Sequence, residues 1–247
     1  MAGHSKWANI KHRKGAQDAK RGKIFTKLIK EITVASKEGG ADPDTNPRLR
    51  LAIQNAKGKN VPKDNIERAI NKGQANDASD YTELTYEGYA PHGVAVFVEC
   101  ATDNLKRTIA AVRSYFNKSG GSLGKNGSVE FLFERKGVFS MQLPEGTDLE
   151  ALELALIDGG MEEMEESEGF LNVACMMEDF GTLQNKLEEL NLETEEAGLQ
   201  RIPATTVTLN NEQFQSVMKL IDKLEDDDDI QKVYHNMEIT DEQMELI

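Results

Sequence analysis

The sequence predicts an α+β protein, on three observations. Apolar residues recur at helical spacing through the first third, the period shifts toward two after residue 80, and residues 137–201 run strand, helix, strand, strand, helix, strand. Charge follows the same division. Residues 1–75 hold 17 Lys and Arg against 7 Asp and Glu, a net of +10, whereas residues 76–247 hold 12 against 36, a net of −24. A whole-chain pI near 4.8 therefore conceals a strongly basic first third. A polyanion feels that third rather than the average, because phosphates neutralised by Lys or Arg release condensed counterions.

The basic third, residues 1–76, reads as a three-helix bundle. From Asp18 to Glu38 the apolar residues Ile24, Phe25, Leu28, Ile29, Ile32 and Ala35 keep a helical period until Gly39 and Gly40 stop it. Lys20, Lys23, Lys27 and Lys30 fall on a separate face of that helix, so one side packs and the other offers ammonium groups. Asn46-Pro47 is an N-cap with Pro at the first helical position, and the helix runs through Lys57. A third helix begins at Pro62, turns Ile66, Ala69 and Ile70 inward, and stops at Gly73.

Beyond a polar linker at 74–80, strands are expected over Thr82 to Tyr89, Gly93 to Ala101 and Ser128 to Phe133, with a helix capped by Asn104 and running to Asn117. The next unit places strands at 137–143, 161–166, 170–176 and 193–201 and helices at 149–158 and 180–190. That βαββαβ order matches the ferredoxin-like motif of four antiparallel strands covered by two helices. Residues 206–247 supply a strand at Val207-Thr208, a helix from Asn211 to Leu224 capped by Asn210, and a strand from Ile230 to Tyr234. Such a short tail cannot bury its own apolar face and must complete a sheet elsewhere.

Apolar content of 38% with 29% charge, and no apolar stretch near the roughly 20 residues that span a bilayer, exclude a membrane protein. No apolar signal region follows Met1, so the cytoplasm is the expected compartment. Cys100 and Cys175 lie far apart in apolar runs, as buried thiols do in a reducing compartment. His4, His12, His92 and His235 share no metal-ligand spacing with them, so neither metal nor other cofactor is expected. The acidic runs 162–168 and 226–229 lack the pattern of a calcium loop and read as solvated faces that repel nucleic acid. No nucleophile or metalloprotease signature is present, which points away from an enzyme and from a small-molecule substrate.

The candidate chemistry is therefore binding. His4 to Lys14 holds four Lys and Arg, two His and the single Trp, a mixture suited to phosphate contact and base stacking. Trp7 either stacks on a base or pins the tail onto the bundle. Lys6, Lys11, Arg13, Lys14, Lys20, Arg21, Lys23, Lys27 and Lys30 are the expected phosphate contacts, and Asp18 is the one acid among residues 1–30. The glycine-rich loop Ser119 to Ser128 fails the phosphate-cradle pattern, because Gly124-Lys125 is followed by Asn126 and the loop leads from a helix into a strand. Lys125 remains a candidate second contact.

These segments resemble the YebC family, whose members include probable transcriptional regulators and the mitochondrial translational activator of cytochrome oxidase. The resemblance rests on AGHSKWANIKHRK at Ala2 to Lys14, DAKRGKIFTKL at Asp18 to Leu28, NPRLR at Asn46 to Arg50, YEGYAPHG at Tyr86 to Gly93, TDNLKRT at Thr102 to Thr108, GGSLGKNGSVEFLF at Gly120 to Phe133 and LEDDDDIQKVYHN at Leu224 to Asn236. It implies three domains: the helical 1–76, a middle α+β domain of 80–134 plus 205–247, and the ferredoxin-like 135–204 inserted into the middle one. It also implies one of two roles, a DNA-binding regulator of transcription or a factor that relieves ribosomes stalled at proline runs. A helix face made of lysines positions on phosphate without reading sequence, which favours structured RNA and the ribosome over promoter DNA.

Overall fold

A computed structural model describes residues 21–75, 81–144, 146–167, 169–244 and 246. The expected α+β architecture is present, with amino-terminal helices and two four-stranded antiparallel sheets. By its contacts the chain divides into two compact units. As far as the described residues go, one comprises residues up to 30, 75–134 and 202–247, and the other 31–74 and 135–201.

Helix α1 (Arg21–Gly39) contributes to both units, with the break after Lys30. In the first unit follow β1 (Thr82–Tyr89), β2 (Ala95–Thr102), α4 (Leu105–Lys118) and β3 (Ser122–Leu123). The tail adds α7 (Asn211–Glu225), β8 (Ile230–His235) and the short α8 (Asp241–Met244). The sheet order is β3-β1-β2-β8, so the tail strand pairs with β2 from Val96↔His235 to Cys100↔Ile230 and completes that sheet as expected. Its apolar face is covered by α4 and α7, whose Val112, Phe116, Phe214, Val217 and Ile221 pack on Val96, Val98 and Cys100. Asn210 and Gln213 close a capping box that starts α7. The proposed strand at Val207-Thr208 is reduced to a single parallel bridge from Val207 to Met237.

The second unit contains α2 (Pro47–Gly58), α3 (Lys63–Gln74), β4 (Phe133–Gln142), α5 (Leu149–Ile157), β5 (Met161–Ser167), β6 (Phe170–Met176), α6 (Phe180–Glu189) and β7 (Thr194–Pro203), although β4 begins and β7 ends in the first. Its sheet order, β5-β6-β4-β7, is the one the ferredoxin-like motif requires. Phe139, Leu171 and Val173 form its core with Leu152, Leu156, Leu183 and Leu187 from the two covering helices. Asn46 caps α2 as expected and also donates to the carbonyls of Ala35 and Gly40, which ties α2 to the end of α1.

The edge strand β7 is not left open. The Asn55 side chain on α2 behaves as one more strand residue, donating to the Ala197 carbonyl at 2.8 Å and accepting from its N–H at 2.9 Å. The chains approach closely there: a Cβ on Gly58 would lie 2.1 Å from the Glu195 carbonyl oxygen. Gly58→Ala is therefore expected to destabilise by about 1 to 3 kcal/mol, against the gain that Ala brings to an open helix position. A urea midpoint at or above that of the parent chain would refute the close approach.

Candidate nucleic-acid interface

Lys6, Trp7, Lys11, Arg13, Lys14 and Lys20 lie outside the described residues, and Arg21 opens α1. The remaining predicted lysines of α1 occupy one face, but that face does not stand open. It is filled by the end of α7 and the aspartates that follow. Lys23 Nζ donates to the Asp226 carbonyl at 2.7 Å and lies 3.3 Å from its carboxylate. Lys27 donates to the Glu225 carbonyl at 2.7 Å. Lys30, 8% exposed, donates to the carbonyls of Asp228 at 2.6 Å and Ala101 at 3.0 Å, and lies 3.4 Å from Asp229 Oδ1 and 5.1 Å from the Tyr81 ring centroid.

The physical reason is the helix end. The last carbonyls of α7 have no partner within the helix, and the dipole concentrates negative charge there, so ammonium groups are the natural complement. Two expectations change accordingly. Lys30 is not a solvent-facing cation, and the run Asp226 to Asp229 is a solvated face only in part: Asp226 and Asp228 are exposed, whereas Asp229 is buried as the counter-charge of Lys30.

Asp229 is the centre of this cluster. It accepts from Arg107 Nη2 at 2.7 Å and Nε at 3.0 Å and from Thr108 Oγ1 at 3.0 Å, in addition to facing Lys30. Burial pushes its carboxyl up, but those hydrogen bonds and the two cations outweigh burial, and it ionises below its ordinary 3.8. Lys27 shifts the other way. Desolvation, only partly offset by Glu225, Asp227 and Asp228, lowers its pKa from 10.5 to about 8. Between about 8 and 10.5 the unfolded chain then binds the extra proton, so this group's contribution to stability rises with pH across that window. Lys27→Met is expected to remove that rise, and following the Lys27 side-chain resonances by NMR should place its midpoint near 8. A midpoint above 10 would refute the desolvation.

The glycine-rich loop does contain a cradle of backbone N–H groups, already filled. Glu87, 2% exposed on β1, accepts from the N–H groups of Gly127 at 2.6 Å, Val129 at 2.8 Å and Glu130 at 2.9 Å. Its own carbonyl accepts from Gly124. A built-in carboxylate thus occupies the place a phosphate would take, while Lys125 stays exposed. The expected strand from Ser128 is instead a tight turn over Glu130–Leu132, and β4 starts only at Phe133. That turn leaves Phe131 72% exposed. Sequence reasoning missed Phe131, because Val129, Phe131 and Phe133 alternate as a strand does.

Other cations of the amino-terminal third remain open. Arg50 and Lys57, seven residues apart on α2, and Arg68 on α3 are exposed. Arg48 is engaged by Glu31 and Glu38, and Lys59 by Glu196. Gln54 and Asn55, the amides of α2 able to read a base edge, are held by Thr194 and Ala197. Both cysteines are buried and free, with thiols raised by burial to about 12 for Cys100 and about 11 for Cys175. Among the described residues no helix is long and apolar enough to cross a membrane.

Comparison with known proteins was consistent along the chain. The family profile described as the TACO1/YebC protein N-terminal domain matches residues 5–76, and that of the TACO1/YebC second and third domain matches residues 81–237. A probable transcriptional regulatory protein of Amoebophilus asiaticus is 61% identical, covering 96% of this chain and 98% of its own length. One from Thermotoga maritima is 48% identical, covering 100% and 98%. The crystal structure of a conserved hypothetical protein from Aquifex aeolicus superposes with a TM-score of 0.82 at 44% identity, over 91% of this chain and 93% of that one.

Proposed function

The chain belongs to the TACO1/YebC family, and from that premise we propose that it is a non-catalytic regulator of gene expression that grips nucleic acid with its amino-terminal third and acts on ribosomal RNA during elongation. The observation that carries this reading is the charge division, +10 over residues 1–75 against −24 over the rest. With Lys23, Lys27 and Lys30 engaged internally, the grip falls to Arg50, Lys57 and Arg68 together with Lys6 to Arg21. These are phosphate-positioning side chains, and the base-reading amides of α2 are occupied within the fold, which supports recognition of backbone and shape. Relief of stalling at proline runs is the role this reading assigns.

The description of the relatives as probable transcriptional regulators favours a second reading, a DNA-binding regulator of transcription. Crosslinking in cells, with sequencing of bound RNA and DNA, separates the two. Ribosomal RNA dominating the recovered fragments is the expected result, and enrichment of a small set of promoters would overturn it. In vitro, Arg50→Glu with Lys57→Glu is expected to weaken binding across all sequences and flatten its salt dependence.

A further inference from the structure

The carboxyl-rich part of the chain contains one stretch of opposite character. From Asn104 to Val129 there is no Asp or Glu, yet there are five basic residues, within a region whose net charge is −24. The stretch is α4 and the loop that leaves it. Helix α4 buries Thr108, Val112 and Phe116 against the sheet and exposes Lys106, Ala110, Arg113 and Asn117, spaced four, three and four apart along one face. Lys118, its last residue, is exposed as well. Arg107 is committed elsewhere, to Asp103 and Asp229. The outer face of α4 therefore carries cations from Lys106 to Lys118, about 18 Å at 1.5 Å per residue.

This face continues into a loop that is held in place. Gly121 N–H bonds back to the Phe116 carbonyl, β3 pairs with β1 through Gly88↔Leu123 and Tyr89↔Ser122, and Glu87 clamps Gly127 to Glu130. The turn after it inserts Val129 and Phe133 beside Phe97 and Tyr234, and Phe131 between them is left outside. Phe131 thus stays 72% exposed while Val129 and Phe133 on either side of it are buried. A rigidly presented ring next to an acid-free cationic face is the combination that single-stranded nucleic acid recognises. The exposed Glu130 and Glu134 close the cationic path beyond the ring.

We propose that the outer face of α4 and the Gly124 to Phe131 loop form a second RNA contact, in which Lys106, Arg113 and Lys118 neutralise phosphates, Lys125 flanks the strand, and Phe131 stacks on an unpaired base. The assignment rests on the nucleic-acid reading above and adds to it a surface on α4 and the loop that leaves it, specific for unpaired rather than duplex RNA.

The test uses the full chain and a labelled unstructured RNA oligonucleotide, with a duplex RNA and a single-stranded DNA of the same sequence as comparators. Lys106→Glu with Arg113→Glu and Lys118→Glu should reduce the slope of log affinity against log salt by about 2, at roughly 0.7 for each phosphate no longer neutralised. Phe131→Ala should weaken single-stranded RNA binding by about 5- to 150-fold, the worth of one stacked base. It should leave the salt slope and duplex binding unchanged, and Phe131→Trp should restore affinity. All four positions are exposed, so thermal unfolding should match the parent. If the parent chain binds RNA and these variants bind identically, the second contact is wrong while the proposed function stands. A parent chain that binds no RNA removes both. Single-stranded DNA held more tightly than RNA, and released by the same variants, overturns the RNA assignment.

Discussion

Asp229→Ala is expected to cost about 3 to 5 kcal/mol, the loss typical when one partner of a buried charge cluster is removed. Without that carboxylate, Lys30 is left buried with two carbonyl acceptors in place of its ion pair, and Thr108 keeps only Thr102 and the Asn104 carbonyl as partners. The loss should appear as a lower urea midpoint at unchanged slope. Lys30→Met should cost less, because Arg107 still neutralises Asp229, and the double variant should show a coupling of about 0.5 to 3 kcal/mol. Acid should act the same way. The folded-state pKa of Asp229 lies below 3.8, so its contribution is present above that value and is lost as pH falls through the folded-state pKa. Asp229→Asn should flatten that acid limb. A change below about 1 kcal/mol in the alanine variant would show that the cluster does not anchor α1.

Glu87→Ala should release the glycine-rich loop. Three backbone donors lose their acceptor at once, and that of Val129 is buried, so the expected cost is on the order of 2 to 4 kcal/mol. Hydrogen exchange at Gly127, Val129 and Glu130 should accelerate well beyond the change at β2, which reports the sheet. Glu87→Gln keeps one accepting oxygen and turns an amide N–H toward the loop, so it should fall between the two. Unchanged exchange at Val129 would mean that the loop is held by β3 alone. Because the clamp presents Phe131, both Glu87 variants should also lower affinity for single-stranded RNA more than for duplex.

Much of the fold was legible because its signals are local. Asn46 and Asn104 cap the helices they precede, β1 spans Thr82–Tyr89 as read, and the βαββαβ order sufficed for the strand order of the second sheet. Period two misled at Val129, Phe131 and Phe133, where the backbone turns because a carboxylate some forty residues earlier binds its amides. Strand β3 escaped notice because two residues between glycines carry no period at all.

The candidate site divides in the same way. Spacing alone placed Lys23, Lys27 and Lys30 on one face of α1, and composition alone separated a basic third from an acidic remainder. What that face meets was decided by topology: β8 pairs with β2, which returns the tail to the first sheet and lays the end of α7 on the lysines, roughly 200 residues away along the chain. Helical period and charge count are properties of neighbouring residues and survive in a linear reading. The partner of a charge depends on which distant carbonyls and carboxylates the packed core brings within hydrogen-bond reach, and only the folded chain settles that.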